Sequence, residues 1–414
     1  MTSSRSVSLP AVPVDASRAR ARLLATAPCA LAVLLAGCGT DAPVRGGAAD
    51  ADTVRMAIAW EVAPGRHPAA DSLGLVTGVA VDSAGNVYVV DQLNAKIWVF
   101  DGAGRLRTSI GRKGEGPGEF HAPTGPGIGP DGRLYVRDVE RVSVFGFDPG
   151  TGLLSRYEAS FPGPLYPAYQ SMRATRFEES GALLYPGHRW LPDGTEHPWV
   201  ARFVDGVMTD TIWTPRYANA PSVAVYVDNG ELLLPGFEHV PFAPLPVWDV
   251  TPEGTVISGD ATSYELVETD REGKVIRRFS RSVPLDPIPA RERRDSIAAL
   301  RARLDSIPVG FDRVKGMPEA VHRLEVPDHY PAYMAAYVSQ DGDVWVRRWP
   351  VGGGDRTIFD VFARTGEFRH TVVLPRGILQ ELTPYLTAGV VVGVARDPLT
   401  DESIIVRFES NTSH

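Results

Sequence analysis

Apolar and polar residues alternate along residues 78–111, GVAVDSAGNVYVVDQLNAKIWVFDGAGRLRTSIG. The apolar runs are Val79–Val81, Val87–Val89, Ile97–Phe100 and Leu106–Ile110. Asp82–Gly85, Asp91–Asn94 and Asp101–Gly104 separate them. A period of two marks half-buried strands. Gly and Asn supply the positive φ that tight turns need. The stretch therefore predicts a four-stranded antiparallel meander. Such a sheet cannot bury both of its faces alone, so it calls for further copies of itself.

The copies are visible as a recurring turn followed by an apolar strand. Asp82-Ser-Ala-Gly85, Gly129-Pro-Asp-Gly132, Glu178-Glu-Ser-Gly181, Thr251-Pro-Glu-Gly254 and Ser339-Gln-Asp-Gly342 are the turns. Each precedes a second strand of the kind Ile97-Trp-Val-Phe, Val142-Ser-Val-Phe, Val200-Ala-Arg-Phe, Tyr264-Glu-Leu-Val or Phe359-Asp-Val-Phe. A further glycine then follows at Gly104, Gly152, Gly206, Gly273 and Gly366. Two markers at matched offsets identify a structural repeat. Val390–Ala395 and Ile404–Phe408 match the middle strands of one more copy, whose outer strand is missing. Thr53–Trp60 alternates and has no partner of its own, so it is expected to complete that last copy and tie the chain ends together.

Two insertions break the spacing. Residues 221–246 contain Val223–Tyr226 and Leu232–Leu234, an expected extra hairpin. Residues 284–331 contain Pro289–Ser306, an expected helix in which Ile297, Leu300, Leu304 and Ile307 form one apolar stripe. Pro289 suits its start and Pro308 its end. Glu292, Asp295 and Asp305 interleave with arginines, which suits a solvated helix better than a membrane-binding one.

Tyr88-Val-Val-Asp91-Gln-Leu-Asn94-Ala-Lys-Ile97-Trp-Val-Phe100 and Ile110-Gly-Arg-Lys-Gly114-Glu-Gly116-Pro-Gly118-Glu-Phe120-His-Ala-Pro123 carry a family resemblance. The chain resembles NHL-repeat six-bladed β-propellers, especially bacterial propeller lipoproteins. The third copy departs from the pattern by lacking the Asp and Asn of the second turn. The resemblance implies an all-β fold: a six-bladed propeller over residues 53–414, closed by an N-terminal strand, with a helical insertion between blades four and five. It also implies alternatives in function, because some six-bladed propellers are calcium-dependent lactonases or zinc-dependent lyases with ligands gathered around the axis.

Composition narrows the class. A net charge of −8 disfavours a broad nucleic-acid surface, which needs clustered Lys and Arg. The two cysteines, Cys29 and Cys38, lie ahead of the repeats, so the folded body has neither a disulfide nor thiolate chemistry. Arg18, Arg20 and Arg22 flank an apolar run, Leu23–Leu35, that is short for a membrane span. Leu35-Ala36-Gly37-Cys38 resembles a bacterial lipobox, which implies a signal peptide over residues 1–37 and a lipid on Cys38. An ordinary secretory signal with an incidental cysteine is the alternative. Asp15 within the long leading region leaves the true start codon open. Residues 38–52 read as a flexible tether. The resemblance implies an envelope lipoprotein, facing the outer membrane or periplasm in a host with two membranes.

The glycines of Gly111–Gly118 suggest a phosphate cradle, but a strand follows them where such a cradle needs a helix N-terminus. Phe120 is instead expected to pack between copies. Asp91 and Asn94 are expected to cap their own turn. The histidines form no tightly spaced metal pair. No catalytic set and no metal set emerges. Two clusters near blade junctions, with Arg and aromatic composition, are the candidate ligand-binding residues: His188, Arg189 and Trp190, and Asp328, His329 and Tyr330 with Arg347 and Trp349. The expected function is a lipid-anchored binding or scaffolding module for a protein or carbohydrate. It needs no cofactor. The alternative is a periplasmic hydrolase or lyase with Ca or Zn at the central channel. An exposed row of Trp190, Trp199, Trp248 and Trp349 would point to carbohydrate.

Overall fold

The computed structural model describes residues 53–139, 143–148, 152–158, 166–167, 173–190, 196–214, 222–228, 233–305, 326–351 and 355–410. The signal-like run, Cys38 and the tether lie outside them, as do residues 221, 229–232 and 306–325 of the two insertions. The chain opens with β1 (Thr53–Val62). The first meander is β2 (Val76–Val81), β3 (Val87–Asp91), β4 (Lys96–Phe100) and β5 (Leu106–Ile110). The second is β6 (Pro123–Ile128), β7 (Leu134–Asp138), β8 (Ser143–Asp148) and β9 (Gly152–Glu158). In the third, β10 (Tyr166–Pro167) and β11 (Arg176–Phe177) both pair with β12 (Leu183–Trp190), followed by β13 (Glu196–Val204) and β14 (Val207–Trp213). A separate hairpin, β15 (Ser222–Asp228) and β16 (Leu233–His239), occupies the first insertion. The next meander is β17 (Val247–Val250), β18 (Val256–Gly259), β19 (Glu265–Thr269) and β20 (Val275–Ser280). Helix α1 (Ala290–Asp305) follows.

The remaining strands share one sheet. They are β21 (Ala335–Val338), β22 (Val344–Arg347), β23 (Thr357–Phe362), β24 (Phe368–Leu374), β25 (Tyr385–Leu386), β26 (Val390–Arg396) and β27 (Ser403–Ser410). β1 pairs antiparallel with β27, from Met56 opposite Ser410 to Val62 opposite Ile405, so the start of the body completes the last meander. Its first residues also pair in parallel with β24, Thr53 opposite Thr371 to Arg55 opposite Val373. This second pairing joins two meanders into an eight-stranded sheet and was not foreseen. Its cause is length: a strand of ten residues outruns its partner and covers the bare edge of the neighbouring sheet.

The turn glycines behave as the repeat requires. Gly85, Gly132, Gly181, Gly254 and Gly342 have φ between 77° and 87°. In each case the glycine N–H donates to the carbonyl three residues back, for instance Gly85 to Asp82 at 3.0 Å and Gly342 to Ser339 at 3.1 Å. This is a type I turn closed by a left-handed residue, a conformation that costs other residues about 1–2 kcal/mol. Gly104, Gly273 and Gly366 of the second glycine set repeat the device, and the ladder slips once near the second turn in five sheets, as between Val99 and Phe100 or Val361 and Phe362.

The core lies between sheets. Phe120 is fully buried between the first and second meanders, edge-on to Phe145 at 5.1 Å, with Val90 and Ile97 behind it. The glycine loop thus ends in a packing anchor, as expected. Val144 meets Tyr185, Trp199 and Phe203 at the next junction. Leu184 and Ile212 meet Val250 and Val256. Tyr333 and Val346 meet Phe279 and Leu266. Trp345 and Phe359 meet Phe408 and Val391. Ile405 and Val394 meet Val79 and Val89, which returns the packing to the first meander. The junction of β17–β20 with β21–β24 also holds a charged group. Asp360 is fully buried and accepts from Arg348 at 2.8 and 2.7 Å, Arg281 at 2.7 Å, Thr371 at 2.8 Å and the Tyr264 hydroxyl. Burial works to raise its pKa, but the Arg348 contacts, Tyr264 and Arg281 outweigh it and hold the carboxyl below the usual range.

Candidate functional site

The first strands of the meanders meet in cyclic order. Thr77 Oγ1 on β2 donates to Pro123 O on β6 at 3.0 Å. Thr175 N, beside β11, donates to Gly125 O at 3.0 Å. Arg176 reaches Asp249 on β17 at 2.7 Å, and Asp249 accepts from Val338 N on β21 at 2.8 Å. Gln340 N donates to Leu386 O on β25 at 3.0 Å, and β25 packs on β2. Small residues permit this approach. A Cβ on Gly127 would overlap Thr175 O, and one on Gly125 would overlap Arg137 and Arg173.

Residues Arg173–Arg176 occupy the place where these strands converge. They touch β6 through Gly125, β17 through Trp248 and Asp249, and β21 through Val338 O at 2.9 Å. Ala174 N also donates to Thr383 Oγ1, just ahead of β25, at 3.1 Å. Three guanidiniums, of Arg137, Arg173 and Arg176, belong to or touch this segment. Arg137 is fully buried at the end of β7; it donates to Arg173 O and lies 5.2 Å from the Tyr185 ring. Arg173 donates to Trp248 O and stacks 4.2 Å from its ring. Arg347 is buried at the end of β22 and donates to Ile378 O at 2.6 Å. Arg176 divides one nitrogen between Asp249 and Val338 O. Desolvation pulls the pKa of Arg137, Arg173 and Arg347 down, opposed by Tyr185, Asp249 and Tyr337 respectively. Tyr337 donates to Gln380 O at 3.0 Å, and burial raises its pKa against the pull of Arg347 and Arg173.

Carbonyl dipoles satisfy these guanidiniums as donors but do not neutralise them. Asp249 contacts Arg176, and the field of Glu381 reaches Arg347. Among the described residues, Arg347 Nη1, Arg176 Nε and Glu381 Oε2 are buried without a hydrogen-bond partner. The donor set is cationic. It does not fit a calcium or zinc ion, which needs converging oxygen or imidazole ligands. No group of three or more His, Cys, Asp or Glu able to hold a metal occurs among the described residues.

The residues singled out from the sequence separate into three places. His188, Arg189 and Trp190 lie on β12 opposite Pro198, His197 and Glu196, with side chains outside the described ones. Arg347 is held apart from that cluster, buried at the end of β22 on Ile378 O. Asp328, His329, Tyr330 and Trp349 gather beside α1. Asp328 is exposed and pairs with Arg293, and exposed His329 bridges to Pro287. Tyr330 is buried, donates to Glu292 at 2.6 Å, and stacks on Trp349 at 6.3 Å, with Phe242 edge-on to both. Phe242 has φ +59°, a strained value for a bulky residue. Trp199 is fully buried and Trp248 lies under Arg173, so the described tryptophans do not form an exposed row. Asp91 accepts from Asn94 at 2.7 Å, Gly74 N at 3.0 Å and Trp98 at 3.1 Å, a capping role. No pattern in the sequence singles out Arg137, Arg173 or Arg176. Arginine in or beside a strand reads as a solvent-facing residue, and only chain closure turns these inward.

Residues 76–159 match a family model described as a 6-bladed beta-propeller. With the repeated meanders, this places the chain in the β-propeller class. Solved structures similar to it include regucalcin, a calcium-binding protein from Agrobacterium tumefaciens, at 14% identity over 87% of this chain and 97% of that one, TM-score 0.40. Virginiamycin B lyase from Staphylococcus aureus matches at 10% identity over 84% and 98%, TM-score 0.39. A gluconolactonase from Xanthomonas campestris matches at 13% over 81% and 86%, TM-score 0.39. No curated protein sequence matches the chain. Among the described residues no helix is long and apolar enough to cross a membrane.

Proposed function

We infer that residues 53–414 form a six-bladed propeller, exported and tethered by a lipid on Cys38, that binds a ligand rather than hydrolysing one. The observation that carries this reading is the chemistry of the centre: guanidiniums pinned to carbonyls, where a metal-dependent hydrolase needs a carboxylate or imidazole cage. The apolar junctions between consecutive sheets, returning to the first, support the blade count. The Phe242–Tyr330–Trp349 cluster beside α1 is the proposed contact region for a protein or carbohydrate partner, with His188–Trp190 as a second.

Two measurements test this. Cells expressing the protein are grown with a labelled fatty acid. Label is expected on the wild type and absent from Cys38→Ala, which should leave the membrane fraction; an unlabelled wild type removes the anchor. Purified protein is then dialysed against calcium or zinc and assayed with lactone substrates. Stoichiometric metal together with metal-dependent turnover would overturn the binding reading in favour of a hydrolase.

A further inference from the structure

The outer strands of the meanders are guarded against pairing with another chain. Beside β5, β9, β14 and β20 the ladder slips once, and those strands carry Arg107, Arg156, Asp210 and the pair Arg277 and Arg278. Bulges and charges are the usual means of blunting a sheet edge. The next outer strand, β24, is covered by β1. The hairpin β15–β16 is the exception. Its register runs without a slip from Ser222 opposite His239 to Asp228 opposite Leu233. Among the described residues neither strand pairs with any other. Val223–Val227 contains no charge, glycine or proline, and three of its residues are β-branched valines.

One proline decides which edge of the hairpin is open. Successive pairs in an antiparallel ladder alternate between pairs that exchange two hydrogen bonds and pairs that exchange none. Pro235 has no N–H to donate, so Pro235 opposite Tyr226 is a pair of the second kind. Ser222, Ala224, Tyr226 and Asp228 share that phase, and their backbone N–H and C=O groups point out of the hairpin along β15. The corresponding row on β16 includes Pro235 and lacks a donor there. The complete edge is therefore β15.

We propose that β15 pairs with β15 of a second copy of this chain, antiparallel about a two-fold axis at Val225. In this register Ala224 exchanges two backbone hydrogen bonds with the partner's Tyr226. Ser222 stands opposite the partner's Asp228, so no like charges meet. An edge that fits its own copy is what a two-fold interface requires. Pairing also turns a two-stranded sheet, marginal in water, into a four-stranded one. The inference is independent of the ligand and anchor readings above.

The test is sedimentation of the full-length protein over a dilution series, in detergent with micelles in excess of protein. A reversible dimer is expected. Tyr226→Pro removes an outward N–H that the hairpin does not use, and should weaken the dimer about thirtyfold, the effect of losing two main-chain hydrogen bonds. Its thermal midpoint at high dilution should match the wild type. If Tyr226→Pro does not fold, Ala224→Lys takes its place with the same expected direction, since a lysine blunts an edge. Val225→Cys places two thiols on the axis, with Cα atoms about 4.5 Å apart and within disulfide reach. Mild oxidation should yield a covalent dimer, while the exposed-turn variant Ala103→Cys stays monomeric. A wild type that remains monomeric throughout, a dimer unchanged by both edge variants, or equal cross-linking of the two cysteine variants would overturn the pairing.

Discussion

The junctions between sheets and the point where the sheets converge are built from opposite materials. At the junctions, Phe120, Phe145 and Phe147 or Trp345, Phe359 and Phe408 interlock with little polar content. At the centre, Arg137 at the end of β7 and Arg173 and Arg176 in or beside β11 donate to main-chain carbonyls of other segments. The first arrangement removes apolar area from water and supplies stability in proportion to that area. The second ties partly buried guanidiniums to carbonyls, which stabilises little. Asp360 shows that charge is also tolerated at a junction when two arginines, a tyrosine and a threonine complete it.

The sharpest break of this contrast is Phe120→Ala. Removing a fully buried ring between two sheets should cost about 3–5 kcal/mol. The shift is read from the denaturant midpoint. A loss under about 1 kcal/mol would deny that the junctions carry the stability. Asp360→Asn comes next, at about 3 kcal/mol, because it takes the charge from a fully buried carboxylate and leaves the part-buried Arg281 and Arg348 without their counter-charge. Its pH behaviour has a definite sign. The native pKa is depressed, so the wild-type contribution is complete above the unfolded carboxylate value of about 4 and is lost as pH falls through the native value. The variant should therefore show a flatter acid limb in stability against pH. Equal acid limbs would contradict the assignment.

Glycine substitutions separate the two regions more finely. Gly127→Ala places a methyl group against Thr175 O at the centre and should cost about 1–3 kcal/mol. Gly85→Ala meets nothing within 4 Å and loses only through its φ of +81°, about 1 kcal/mol. A reversed order in thermal midpoints would mean the first strands are less tightly apposed than described. The smallest effect belongs to Arg291→Gln on α1, which breaks an exposed pair with Asp295 and should change stability by about 0.3 kcal/mol.

Much of the scaffold was written locally. Alternation set the strands, and the glycines at 85, 132, 181, 254 and 342 set the turns, because a positive φ is a property of one residue and its neighbours. The pairing of β1 with β27 followed from counting an incomplete copy. The Asp91–Asn94 cap and the Phe120 anchor were likewise legible in short segments. Helix α1 starts within a residue of its expected start at Pro289, and its expected end at Ser306 lies outside the described residues.

The candidate site was not legible in that way. Tyr330 and Trp349 were chosen for composition, and the fold brought them together on Phe242, a residue with no sequence signal. Arg347 neighbours Trp349 in sequence, yet its guanidinium is buried on Ile378 O while Trp349 stacks on Tyr330. Arg137, Arg173 and Arg176 belong to different meanders, or precede one, and share no motif. Periodicity reports which face of a strand is buried against its neighbours, and it is silent on what lies where separate sheets converge. The sequence alone determined the repeat, its turns and its closing strand, because those depend on contacts a few residues apart. Only the tertiary structure decided that Arg137 reaches the segment that carries Arg173 and Arg176, because that depends on how separate sheets come together.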